Sequence, residues 1–124
     1  MIGVGTDIIE VERVKTACER HGERFLKRVF TEGERAYCMQ MKNPYPHLAA
    51  RFAAKEAVSK AFTTGIGEEL NWTSIEVIKG SREEPIIHLD DKGQKLLEHV
   101  GATGVLITLA HTANYGTAVA VLVK

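Results

Sequence analysis

The chain has 124 residues, 44% of them hydrophobic and 26% charged, and its sixteen Lys plus Arg balance sixteen Asp plus Glu. Ordinary globular usage at zero formal charge excludes a disordered or low-complexity chain and removes the driving force for non-specific nucleic-acid coating. One compact domain over residues 1–124 is expected. Its two cysteines, Cys18 and Cys38, are too few for a disulfide scaffold, so a reducing, cytoplasmic home is expected. No basic start leads into an apolar run, and no stretch approaches the roughly 18 apolar residues that span a bilayer, so neither secretion nor a membrane partner is expected.

Alternation predicts a first strand over residues 2–9, with Ile2, Val4 and Ile8 on one face and Gly3, Gly5 and Asp7 on the other. From Val11 the spacing turns helical. Val11, Val14 and Cys18, then Phe25, Leu26, Val29 and Phe30, predict two short helices separated near Gly22. Thr31 and Glu34 have capping-box spacing, opening a helix that runs to about Gln40 and is stopped by Asn43-Pro44-Tyr45-Pro46. The most regular helix follows over residues 47–63, ended by Gly65 and Gly67. Ala49, Ala53, Ala57 and Ala61 form a ridge on it for close packing, and Leu48, Phe52, Glu56 and Lys60 form the neighbouring row. Arg51, Lys55 and Ser59, well round the helix from the alanines, are expected to be solvated. Strands over residues 70–79 and 85–89 come next, then a short helix capped by Asp90 or Asp91, then strands over 105–112 and 117–123. The class is α+β with a mainly antiparallel sheet. The last strand is apolar on both faces, so a partner subunit is expected to cover one of them.

Several chemistries drop out. There is no Gly-x-x-x-x-Gly-Lys-Ser/Thr loop, no His-Glu-x-x-His, no Cys-x-x-Cys and no Gly-x-Ser-x-Gly, and Ile8 stands where a dinucleotide turn beginning Gly3-x-Gly5 needs a third glycine. Two carboxylates stand out instead. Asp7 shares its strand face with glycines, so a ligand or another backbone can approach it; the plainer alternative is that it caps the following helix. Glu56 extends an apolar row beside the alanine ridge, with Lys60 one turn further on; the plainer alternative is a surface i,i+4 pair. If the two carboxylates meet, they suit Mg²⁺, which keeps water and phosphate in its other positions, and the lysine would neutralise the same phosphates. Residues 13–28 carry Arg13, Lys15, Arg20, Arg24, Lys27 and Arg28 against Glu19 and Glu23, a basic arm that is either a solvated face or a dock for an acidic partner. Near-neutral overall charge and few aromatics disfavour nucleic acid as that partner. His111 with Thr112, at a strand end, is either merely hydrogen-bonded or a third site candidate.

Gly5-Thr6-Asp7-Ile8-Ile9-Glu10-Val11-Glu12-Arg13, then Phe30-Thr31-Glu32-Gly33-Glu34, then Arg51-Phe52-Ala53-Ala54-Lys55-Glu56-Ala57-Val58-Ser59-Lys60-Ala61 with Gly65-Ile66-Gly67 behind it, closely resemble the holo-acyl-carrier-protein synthase family of small bacterial phosphopantetheinyl transferases. The resemblance spans nearly the whole chain. It implies an α+β enzyme of fatty-acid biosynthesis that moves the phosphopantetheine arm of coenzyme A to a serine of apo acyl carrier protein, leaving adenosine 3′,5′-bisphosphate, with Mg²⁺ required. It further implies metal ligation by Asp7 and Glu56, catalysis by Glu56 and Lys60, and coenzyme A binding by Lys60, Arg51, Gly65, His111 and Thr112. Docking of the acidic carrier would fall to Arg13, Arg20 and Arg24, and the assembly would be a homotrimer with sites between subunits. Two positions depart from the family. Ala110 stands where a serine usually precedes His111, which removes a hydroxyl, and Glu83-Glu84-Pro85 replaces Gly-Lys/Arg-Pro at the middle hairpin. A non-catalytic coenzyme A or carrier-protein binding module is the competing reading, and the intact Asp7, Glu56 and Lys60 argue against it.

Overall fold

The computed structural model describes residues 2–124. In chain order the elements are β1 (Gly3–Glu10), α1 (Val11–His21), α2 (Glu23–Val29), α3 (Glu32–Met39), α4 (Tyr45–Ala61), β2 (Ile75–Lys79), β3 (Pro85–Leu89), α5 (Asp91–His99), β4 (Gly104–His111) and β5 (Tyr115–Val123). The class is α+β, as expected. Three antiparallel strands form one sheet in the order β1-β5-β4, and β2 and β3 pair as a separate hairpin.

α4 lies across the three-stranded sheet, and the alanine ridge explains how. Ala49, Ala53 and Ala57 are fully buried and Ala61 nearly so, which lets the helix backbone descend onto the strands. The strands answer with glycine. A Cβ on Gly5 would collide with the Ala57 carbonyl, and one on Gly116 would come within 2.6 Å of the Ala49 backbone. The bare face of β1 therefore receives a helix backbone, one of the two occupants its glycines allowed. Its apolar face points outward: Ile8 is 66% exposed, and with Val4, Val119 and Leu106 it makes an open, greasy sheet surface.

Three expectations need correction. Arg51, Lys55 and Ser59 are buried. α4 is packed by the sheet on one side and by α3 and β2 on another, so the Arg51, Lys55 and Ser59 side is covered and only the strip carrying Glu56 and Lys60 reaches solvent. Burial holds the Lys55 ammonium below its ordinary range, and Glu34, met at 2.7 Å, opposes this while Lys55 also donates to the Trp72 and Ile75 carbonyls. Glu34 completes the capping box with Thr31, and its second oxygen accepts the Val77 N–H at 2.8 Å, which ties α3 to β2. Second, α4 runs from Tyr45 to Ala61, so Pro46 lies in its first turn, where a missing N–H costs nothing; the prolines that end one helix also begin the next. Third, the stretch from Leu70 is a strand only from Ile75, because Trp72–Ser74 forms a 3-10 turn. Gly22, at φ 54°, separates α1 from α2, and Asp90 caps α5 by accepting the Gly93 N–H. Both cysteines are free, and burial pushes the Cys38 thiol up to about 11. Among the described residues no helix is long and apolar enough to cross a membrane.

Candidate active site

β1 and α4 bring the two carboxylates together. β1 is an edge strand, and Asp7 lies on its helix-facing side two residues beyond Gly5, where the close approach of α4 puts Lys60 within reach. Lys60 Nζ donates to Asp7 Oδ1 at 2.8 Å and to the Thr6 carbonyl at 3.1 Å. The N-cap of α1 is Glu10, so Asp7 is not a helix cap. Nor is Lys60 the partner of Glu56: among the described residues Glu56 forms no ion pair.

That leaves Glu56 in an unusual state. Burial first, and then the negative charge of Asp7, push its carboxyl above the ordinary glutamate range, with Lys60 opposing. One lysine thus serves two carboxylates that repel each other. Such a pair of hard oxygen donors, short of one positive charge, fits a small divalent cation that takes only two protein ligands. No group of three or more His, Cys, Asp or Glu among the described residues could form an all-protein cage.

Glu56 opens onto a pocket of about 650 Å³ lined also by Arg28, Ile66, Gly67, Asn71 and Trp72. The Trp72 ring leans on Phe52 with centroids 4.8 Å apart, which fixes that wall. Arg28 ends the basic arm, so the arm runs into this pocket. Arg13, Arg20 and Arg24 are all exposed on α1 and α2; the first two flank one shallow groove, and Arg24 lines another beside Phe25.

Arg51, five residues before Glu56 and therefore about 140° round the helix, faces a different cavity. This one measures about 420 Å³ and brings Arg51 together with Tyr37, His47, Lys79, Ala110 and His111. The guanidinium lies over the Tyr37 ring at 4.4 Å, and its Nη1 donates to the His47 carbonyl at 3.3 Å. Lys60 and Gly65 do not line this cavity. Gly65 sits in the loop after α4 at φ 69°, a conformation that favours glycine, with open space where a Cβ would go. The Thr112 hydroxyl oxygen accepts the Asn114 and Tyr115 N–H groups and so shapes the β4–β5 turn. Sequence reasoning missed Tyr37, His47 and Lys79 here, and Trp72 in the other pocket. For His47 a signal existed, since it stands one helical turn before Arg51 on the same face. Lys79 and Tyr37 come from other elements, and no local pattern announces them.

Known proteins share this sequence and fold. Residues 3–120 match the family model described as the 4'-phosphopantetheinyl transferase superfamily. Over 121 residues, 98% of either chain, the sequence is 49% identical to holo-[acyl-carrier-protein] synthase of Chlamydia trachomatis serovar D. Holo-[acyl-carrier-protein] synthase from Neisseria meningitidis has a crystal structure that matches with TM-score 0.92 at 30% identity, covering 100% of this chain and 99% of that one. The Helicobacter pylori enzyme of the same name, crystallised in complex with coenzyme A, matches with TM-score 0.85 at 28% identity, covering 96% and 98%. The chain belongs to the 4'-phosphopantetheinyl transferase superfamily and, within it, to the holo-[acyl-carrier-protein] synthase family. It is a transferase enzyme.

Proposed function

We propose that this transferase moves the phosphopantetheine arm of coenzyme A to a serine hydroxyl of an acyl carrier protein, releasing adenosine 3′,5′-bisphosphate, with Mg²⁺ as cofactor. The observation that carries the reading is the cluster of Asp7, Glu56 and Lys60, in which Lys60 is ion-paired to Asp7 and Glu56 is left without a counter-ion beside an open pocket. The serine oxygen attacks the phosphorus that bears the pantetheine arm. The bridging P–O bond breaks, its electron pair leaves with the bisphosphate, and the serine proton passes to Glu56. That Glu56 opens onto the pocket and has no ion-pair partner among the described residues supports this role. Lys60 offsets the charge that builds on the leaving oxygen, and Asp7 fixes the lysine's position. When bound by Asp7 and Glu56, Mg²⁺ would neutralise the pyrophosphate oxygens.

In this reading Arg51 and His111 take the nucleotide end of coenzyme A, with Gly65 near the pyrophosphate and Thr112 beside His111. Arg51 and Glu56 open into separate cavities, which supports a site shared between neighbouring subunits. The open face of Val4, Ile8, Leu106 and Val119 supports an assembly that covers it, a homotrimer. Arg13, Arg20 and Arg24 are exposed and suit an acidic carrier protein, met in the cytoplasm during fatty-acid synthesis.

The test is to incubate the purified protein with apo carrier protein, coenzyme A and Mg²⁺, with and without a chelator, and to weigh the carrier by mass spectrometry. A gain of about 340 Da, one phosphopantetheine, that the chelator abolishes is the expected result. No gain on several acidic carriers, from folded protein, would overturn the reading.

A further inference from the structure

The Arg51 cavity contains an imidazole that the transfer chemistry leaves unused. His47 stands at the start of α4 with its ring centroid 4.7 Å from that of His111 and 6.3 Å from that of Tyr37. The charged and titratable groups facing it come from every surrounding element: Arg51 from α4 itself, Lys79 from β2, His111 from β4 and Tyr37 from α3. Among the described residues that line the cavity there is no carboxylate. Arg51 is only 4% exposed, and its Nε–H is buried without any acceptor. A cavity lined by Arg51 and Lys79, with no carboxylate and with a guanidinium N–H that finds no acceptor in the protein, suits an anion with several acceptor oxygens.

We propose that His47 is a further binding residue for the phosphate monoester of the donor, and that it takes up a proton when that phosphate binds. This rests on the reading of the cavity as the nucleotide end of coenzyme A. In the free protein, burial first, then His111, Arg51 and Lys79, hold the His47 imidazolium below its ordinary range, so the ring is neutral near pH 7. A monoester carrying nearly two negative charges reverses the local field and favours the protonated ring, which then donates to a phosphate oxygen. Donor affinity is thereby linked to proton uptake and strengthens as the pH falls through the histidine range.

The experiment compares wild type with His47→Phe, which keeps a ring against Tyr37 and His111, and with His47→Gln as a second variant should the first lose its fold. Binding of adenosine 3′,5′-bisphosphate is measured by titration calorimetry from pH 6 to 8.5. The ratio of wild-type to variant affinity should be near one at pH 8.5 and about tenfold at pH 6, the worth of one charge-assisted hydrogen bond. Comparing the two proteins with one ligand cancels the phosphate's own titration. With dephospho-coenzyme A, which lacks the monoester, the ratio should not change with pH. A ratio equally flat for the bisphosphate, or one that changes equally for both ligands, overturns the role of His47. Wild type that binds neither nucleotide would instead overturn the donor reading itself, so the two failures are distinct.

Discussion

Lys55 and Lys60 sit five residues apart on one helix, each with a carboxylate at nearly the same distance, and the two pairs do opposite work. Lys55 lies 2.7 Å from Glu34 with both side chains wholly buried, whereas Lys60 lies 2.8 Å from Asp7 with its side chain half exposed. The difference is saturation. Lys55 also donates to two carbonyls, which uses its last donor, and both oxygens of Glu34 are engaged by backbone N–H groups in a place no solvent reaches. Around Lys60, Glu56 still lacks a counter-ion and faces a pocket. Opposite charges in contact do not mark a site; unspent capacity beside solvent does.

The sharpest way to break this comparison is to neutralise one carboxylate of each kind. Glu56→Gln should lower kcat by about 10²–10⁴-fold, the usual worth of a general base, while the protein stays fully folded at pH 7. Asp7→Asn should also lose most turnover, since Lys60 then has no fixed position, yet cost at most about 1 kcal/mol of stability because the lysine is solvated. Steady-state kinetics with urea denaturation of the same samples checks both. Near-normal turnover in either variant would remove the cluster from the mechanism.

Lys55→Met should do the reverse. It strands Glu34 as a buried unpaired charge, a loss of about 3–5 kcal/mol in unfolding free energy. Adding Glu34→Leu should recover only part of it, because the unpaired charge is gone but the Thr31 and Val77 N–H groups lose their acceptor. A single variant that costs under about 1 kcal/mol would show that the buried pair is not the tie between α3, α4 and β2.

Much of this was legible in the sequence, and the exceptions share a cause. The capping box, the glycine face of β1, the alanine ridge and the Gly22 break are local patterns, and each appears where its spacing predicts. Glu56 stood out because it interrupts an apolar row. The burial of Arg51 and Lys55 was not legible. The charged side of α4 that reads as solvated is covered by α3 and β2, and Lys55 finds its counter-charge 21 positions away, on another element. The Arg51 cavity draws on α3, α4, β2 and β4, so only His47, one turn before Arg51, left a trace in the spacing. The outward turn of the apolar β1 face was equally hidden, because alternation shows that two faces differ but leaves open which one meets the helix.

A smaller effect separates the chemistry of Glu56 from its contribution to the fold. Its folded-state proton affinity is raised, so the protonated form favours folding. That contribution is fully present below the ordinary value of 4.5 and is lost as the pH rises through the raised value. Activity runs the other way, because proton acceptance needs the carboxylate. Without added metal, Glu56→Gln should therefore be more stable than wild type at pH 7 and no more stable at pH 4; with Mg²⁺ supplied, wild-type turnover should fall on acidification. Urea denaturation at the two pH values tests the sign, and a wild type that gains stability over Glu56→Gln on going from pH 4 to 7 would contradict it.

The smallest expected effect belongs to a third pair, Lys27 with Glu23, 3.8 Å apart and both well exposed on α2. It completes the series from saturated to open to merely adjacent. Screening and side-chain entropy leave such a pair about 0.5 kcal/mol or less, so Glu23→Gln should not measurably change stability. Its charge still counts at a distance. Residues 13–28 hold six basic and two acidic side chains, an excess of four, and Glu23→Gln raises that excess to five. If the arm docks an acidic carrier, association should quicken by about twofold at low salt and the gain should vanish at 0.5 M salt, where charges are screened within a few ångströms. Stopped-flow association at the two salt concentrations reads this directly. An unchanged rate at low salt would mean that the carrier approaches by another face, and that Arg24, one residue from Glu23, is only solvated.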